Sequence, residues 1–138
     1  MGELRRTAAA AGAPSGGLAD IVTLEAELRK AVEREQMLLH YQPQVDTVDG
    51  SIIAVEALLR WEHPEFGQVP PFRFIAIAQE IGLMDELGNW VLQEASRQLV
   101  EFRAQGLELP RVAINVSRLQ FGENFTRRLK EVLAETGL

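Results

Sequence analysis

The period of the apolar positions changes several times along the chain. Across residues 23 to 36, "TLEAELRKAVEREQ", Leu24, Leu28 and Val32 recur every fourth position among charges, which predicts an amphipathic helix. Thr23 suits its N-cap, and Glu25 and Glu27 suit its first turn. The next segments, "MLLHYQPQV" (37–45) and "SIIAVEALLRW" (51–61), read as strands. Only the turn-forming "DTVDG" separates them, so they are expected to pair as antiparallel neighbours.

Beyond them, "PPFRFIAIAQEIG" (70–82) has prolines where a helix starts and Gly82 where it stops. Residues 85–105 form the longest predicted helix, with Leu87, Val91, Ala95, Leu99 and Phe102 on one stripe and Gly106 at the C′ position. "RVAINVS" (111–117) reads as a short buried strand. A last helix over 123–135 carries Phe125, Leu129, Val132 and Leu133 and stops at Gly137. After the hairpin, strands alternate with helices, which predicts an α/β fold with parallel pairing. Three strands leave apolar sheet uncovered and an edge unpaired. The expected architecture is therefore the front of a larger barrel of eight strands and about 250 residues, with the chain stopping after about three strands.

Polar residues interrupt these apolar strands. Side chains alternate faces along a strand. Ile53, Val55, Ala57, Leu59 and Trp61 thus share one face of the second strand, and Ile52, Ala54, Glu56, Leu58 and Arg60 the other. Glu56 and Arg60 are then roughly 13 Å apart at the Cα atoms. An unpartnered buried charge costs several kcal/mol, so each should meet a metal, a ligand or a counter-charge. Gln42 lies in "LLHYQPQV" on the face of Leu38 and His40, and Asn115 in "VAINVS". In a barrel, inward residues near the strand ends form the site, where Glu56 and Asn115 make a hard-oxygen set for Mg²⁺ or Mn²⁺. Arg60 then suits an anionic group such as a phosphate. From the residues alone a structural Glu–Arg salt bridge is the leading account of the two charges, and the metal-dependent phosphate site is the alternative. His40 reads as a satisfied half-buried residue, His63 as a loop residue, and Trp61, Phe72, Phe74 and Trp90 as core.

Composition narrows the class. The chain of 138 residues is 46% hydrophobic and 25% charged, the balance of a soluble globular domain. A net charge of -6 disfavours broad contact with nucleic acid or an anionic membrane. There is no cysteine, which excludes disulfides and thiolate metal sites and fits a reducing compartment. Nothing approaches a membrane span or a signal-peptide core, so a cytoplasmic location is expected. The Ala- and Gly-rich residues 1–17 read as a flexible linker or artificial tail, with the domain over 18–138.

The run "YQPQVD…IIAVEALLRWEHPEFGQVPPFRFIAIAQEIGLM…NWVLQEASRQL…VAINVSRLQF" closely resembles the N-terminal half of EAL domains, the bacterial cyclic di-GMP phosphodiesterases. The naming tripeptide stands here as Glu56-Ala57-Leu58. The resemblance runs from about Leu24 to the end. It implies a modified (β/α)8 barrel whose first strand is antiparallel to the rest, which the hairpin already predicts. It further implies that Glu56 is a catalytic, metal-binding glutamate and Asn115 a metal-binding asparagine. Arg60 would contact a substrate phosphate, and Gln42 would line the substrate site. Two Mg²⁺ or Mn²⁺ ions would activate a water that opens cyclic di-GMP to linear pGpG. Gln79 departs from the family's usual acidic residue, outside the metal set. The family's second metal-binding glutamate, paired aspartates, catalytic lysine and late glutamate and glutamine motifs all belong beyond residue 138. The chain alone is therefore expected to be inactive. The alternative is a non-catalytic module for interaction or for self-association through the exposed sheet edge, and an upstream signalling domain is expected as a partner.

Overall fold

The computed structural model describes residues 18–116, 120 and 122–138. Ser117 and the expected tail over 1–17 lie outside them. Among the described residues eight elements follow one another: α1 (Leu18–Ala31), β1 (Met37–Val45), β2 (Ile52–His63), β3 (Gly67–Val69), α2 (Pro71–Glu80), α3 (Met84–Ala104), β4 (Val112–Ile114) and α4 (Glu123–Thr136).

Helix α1 begins earlier than its periodicity predicts, so Thr23 lies inside it rather than capping it. Its C-terminus closes as a Schellman motif: the Gln36 N–H donates to Ala31 O (3.0 Å) and the Glu35 N–H to Val32 O (3.2 Å). Glu35 takes the left-handed C′ position with φ 55°. The expected Gly106 stop of α3 has the same geometry, with φ 84° and a Leu107 N–H to Phe102 O bond of 3.0 Å.

The hairpin is antiparallel, with Gln42 opposite Glu56 and Leu38 opposite Arg60. Its turn is held by the Asp46 and Asp49 carboxylates, which accept from the Val48 N–H (2.7 Å) and the Ser51 N–H (2.9 Å). Strand β4 joins β2 in parallel, with Ala113 opposite Glu56, which is the α/β pairing the alternation predicts. The sheet has four strands rather than three. The extra strand, β3, is only "GQV" and pairs with Trp61–His63. It is too short to show a period of two.

One face of the sheet is covered by helices. Trp61, Phe74, Leu28 and Leu24 pack with Met37, Val69, Ile77 and Leu87 in the larger apolar cluster. A second cluster sets Leu99 of α3 against Val55 and Leu109, with Tyr41 and Phe102 alongside. Phe72 is not core: it is 80% exposed. The buried stripe of α2 is Phe74, Ile77 and Ala78, and Phe72 falls on the opposite side of the helix. His63 is not a loop residue either, since it ends β2 and is buried.

Candidate functional site

The face of the sheet turned away from the helices collects the polar residues. The register places Leu38, His40 and Gln42 of β1 on the same face as Arg60, Leu58 and Glu56 of β2, each pair directly opposite. Ala113 brings β4 beside Glu56, and Asn115 is one step of the same alternation further on. Asn115 Nδ2 donates to Glu56 Oε1 at 3.1 Å, although 59 residues separate the two in sequence. Gln42, the direct neighbour of Glu56 on the other side, is exposed.

Glu56 and Arg60 form no salt bridge with each other or with any other described residue. Among the described residues the Arg60 side chain makes one hydrogen bond, from Nη1 to the Leu59 carbonyl, 2.9 Å. The structural ion pair suggested by their spacing is therefore not what holds them. Both are half-buried and keep capacity for a ligand: Glu56 its second carboxylate oxygen, Arg60 most of its guanidinium donors.

Arg60 and Asn115 also line one cavity of about 160 Å³. It arises because β4 pairs only with residues 55–57 of β2 and β3 only with 61–63, which leaves 58–60 without a strand on that side. Ile75 of α2, Leu87 and Val91 of α3 and Phe125 of α4 complete its walls. The chain beyond Asn115 is fastened to α3 by Gln120, whose Nε2 donates to Met84 O at 2.8 Å. Gly88 makes room for this contact, since a Cβ there would overlap the Gln120 amide.

A divalent cation fits these donors in part. Glu56 and Asn115 offer hard oxygens side by side on adjacent strands, two of the roughly six that Mg²⁺ or Mn²⁺ requires. Among the described residues no cluster of three or more His, Cys, Asp or Glu forms.

The opposite, helix-covered face contains a second polar network. His63 Nδ1 accepts from the Glu65 and Phe66 N–H groups (3.1 and 3.2 Å), so Nε2 carries the proton and donates to Glu27 Oε2 at 3.0 Å. That hydrogen bond, with Arg34 nearby, holds the Glu27 carboxyl below its ordinary range. Glu27 thus ties α1 to the end of β2 and is not a first-turn dipole partner. Trp61 Nε1 donates to Gln36 Oε1 at 3.0 Å. Burial, with Glu94 adding to it, pushes Tyr41 up to about 12. His40, in contrast, is exposed and makes no hydrogen bond to any described residue, so it is neither half-buried nor satisfied. Strand alternation beside Gln42 is the signal that places it on the polar face.

No described helix is long and apolar enough to cross a membrane. Comparison with known proteins gives a consistent picture. The family model for the EAL domain matches residues 25–138. The Escherichia coli protein "Cyclic di-GMP phosphodiesterase PdeR" is 45% identical over 114 residues, 81% of this chain and 17% of that protein. The Pseudomonas aeruginosa protein "Bifunctional diguanylate cyclase/cyclic di-GMP phosphodiesterase MucR" is 47% identical over 95 residues, 69% of this chain and 14% of that protein. The solved structure of the PaMucR phosphodiesterase in complex with c-di-GMP superposes with a TM-score of 0.78 at 41% identity, over 84% of this chain and 47% of that one. The chain thus spans about half of that solved domain and under a fifth of these two curated relatives. With the sheet, the strand carrying Glu56 and the matched residues in agreement, the chain belongs to the EAL domain family.

Proposed function

We propose that this chain supplies one wall of a cyclic di-GMP phosphodiesterase site. The observation that carries the reading is the Asn115–Glu56 contact across β2 and β4, on the face that also presents Gln42 and an unpaired Arg60. The names of the relatives, PdeR and MucR among them, support the choice of substrate.

Glu56 and Asn115 would hold Mg²⁺ or Mn²⁺, which when bound lowers the pKa of a water and neutralises charge at the phosphoryl oxygens. Arg60 places its uncommitted N–H donors against a non-bridging phosphate oxygen and fixes the register of the dinucleotide. Gln42 supplies an amide donor and acceptor beside Glu56. In the reaction, the water oxygen bonds to phosphorus and the bond to the ribose 3′ oxygen breaks. That oxygen takes up a proton, and linear pGpG results.

Two oxygen donors do not complete a two-metal site, and groups that act as a unit lose orders of magnitude in rate when part is missing. The 138-residue chain alone is therefore inactive in this reading and retains only the weak binding that Arg60 and Gln42 provide. A cytoplasmic location and an upstream signalling domain accompany it.

The decisive experiment replaces the matching segment of PdeR with residues 25–138. The hybrid is expected to convert cyclic di-GMP to pGpG, and E56A or N115A to abolish that conversion. A folded hybrid without activity sinks the reading. A second reading, self-association, is favoured by β1, whose outer edge pairs with no strand among the described residues. A monomeric mass by sedimentation argues against it.

A further inference from the structure

The chain has two histidines, and the fold treats them oppositely. His63 is buried on the helix-covered side with both ring nitrogens engaged, by Glu27 on one and by two main-chain N–H groups on the other. His40 stands exposed on the polar face with neither nitrogen engaged by a described residue. Directly opposite it is Leu58, so its two diagonal neighbours on β2 are Glu56 and Arg60. Such diagonal neighbours lie roughly 7–8 Å apart between Cα atoms, within reach of a long or aromatic side chain. An anion spanning from the cation end at Glu56 to Arg60 must pass this imidazole. Of its other neighbours on the face, Leu38 and Leu58 offer no hydrogen bond that would compete for it, and Gln42 makes none with it.

We infer that His40 is a further substrate-contacting residue, donating a ring N–H to a phosphodiester oxygen of the bound dinucleotide between Glu56 and Arg60. The inference rests on the proposed cyclic di-GMP site. It adds to Gln42 a second polar contact on β1, so that the first strand of the hairpin reaches the phosphodiester as β2 does. Because the contact is to a non-bridging oxygen and the ring transfers no proton in the reaction, its effect is read in affinity.

The test is a nuclear magnetic resonance titration of the 138-residue chain with cyclic di-GMP and Mg²⁺, following the ring signals of both histidines and the Gln42 side-chain amide. The His40 ring is expected to move together with Gln42 while His63 stays still. H40A should weaken the apparent affinity about tenfold, the worth of one hydrogen bond to a charged group, with an unchanged urea midpoint. H40Q, which keeps a donor, should recover part of the loss. If Gln42 moves while His40 does not, and H40A binds as the parent does, the inference falls alone. If nothing on this face moves at millimolar ligand, the nucleotide reading of the face falls and the inference falls with it.

Discussion

Removing the buried Gln36 side chain should cost stability chiefly through the donor that it leaves without a partner. Trp61 is 0% exposed and Gln36 8%, and the 3.0 Å bond from the indole N–H to Gln36 Oε1 is the indole's hydrogen bond inside an apolar cluster. Q36A leaves that donor buried and unpaired, a penalty of about 1–3 kcal/mol. W61F keeps the ring edge against Phe74, whose centroid lies 5.9 Å away, and loses volume together with the donor. That change should cost about 2 kcal/mol, a part of what full truncation of such a ring costs. In the double variant no donor remains to be orphaned, so its loss should fall short of the summed singles by about 1–2 kcal/mol. Urea unfolding of the four proteins measures this directly, with a common slope as the check that the unfolded state is unaltered. The main-chain bonds of Gln36, to Ala31 O (3.0 Å) and from the Glu62 N–H (2.9 Å), survive either substitution, so far-ultraviolet dichroism should stay constant. Single losses that add to within about 0.3–0.5 kcal/mol would refute the coupling.

Three further outcomes are expected. Tyr41 is the single tyrosine, so its phenolate absorbance should rise near pH 12 in the folded chain. Its folded pKa is raised above the ordinary 10, so stability present below pH 10 is lost as pH climbs toward about 12. Y41F, which deletes a buried hydroxyl without a hydrogen-bond partner among the described residues, should remove that loss at little cost in thermal midpoint. E35G relieves a non-glycine residue at φ 55° and should stabilise by about 0.5–1 kcal/mol in urea; a destabilised E35G would show that the carboxylate is needed at that turn. The Glu27 carboxyl is depressed chiefly by His63, so its contribution is present above pH 4.5 and is lost as pH falls below it. E27Q should flatten the acid limb of the stability profile, and an unchanged limb would mean the pair does not form in solution.

The hairpin, the order of helices and strands and the stripe on α3 are legible in the sequence because each is a local pattern. Gly50 and Asp46 mark the turn, and Leu87, Val91, Ala95 and Leu99 recur at helical spacing. Other features depend on contacts distant in sequence. Nothing in "LADIV" breaks a helix, so a plausible N-cap at Thr23 could not reveal that α1 starts at Leu18. His63 sits in a turn-like "EHPEFG", yet Glu27, thirty-six residues earlier, turns it into the buried end of a strand. Phe72 shows the limit of residue type, since a large aromatic next to two prolines was expected in the core and faces solvent. The candidate site is legible residue by residue only through the family pattern. Periodicity alone favoured an ion pair between Glu56 and Arg60 that does not form.

The pairing of β2 with β4 also has a kinetic consequence. The β1–β2 hairpin closes across about six residues, from Asp46 to Ser51. Bringing Asn115 to Glu56 closes 59. With a closure cost growing as (3/2)RT ln n, the second event is dearer by about 2 kcal/mol before any contact repays it. It is secured by a strand of only three residues, extended by the bond from the Val55 N–H to Arg111 O, 3.1 Å. The amides of β4 should therefore exchange with solvent sooner than those of the hairpin. The contact that brings Glu56 and Asn115 together thus forms after the hairpin and opens before it.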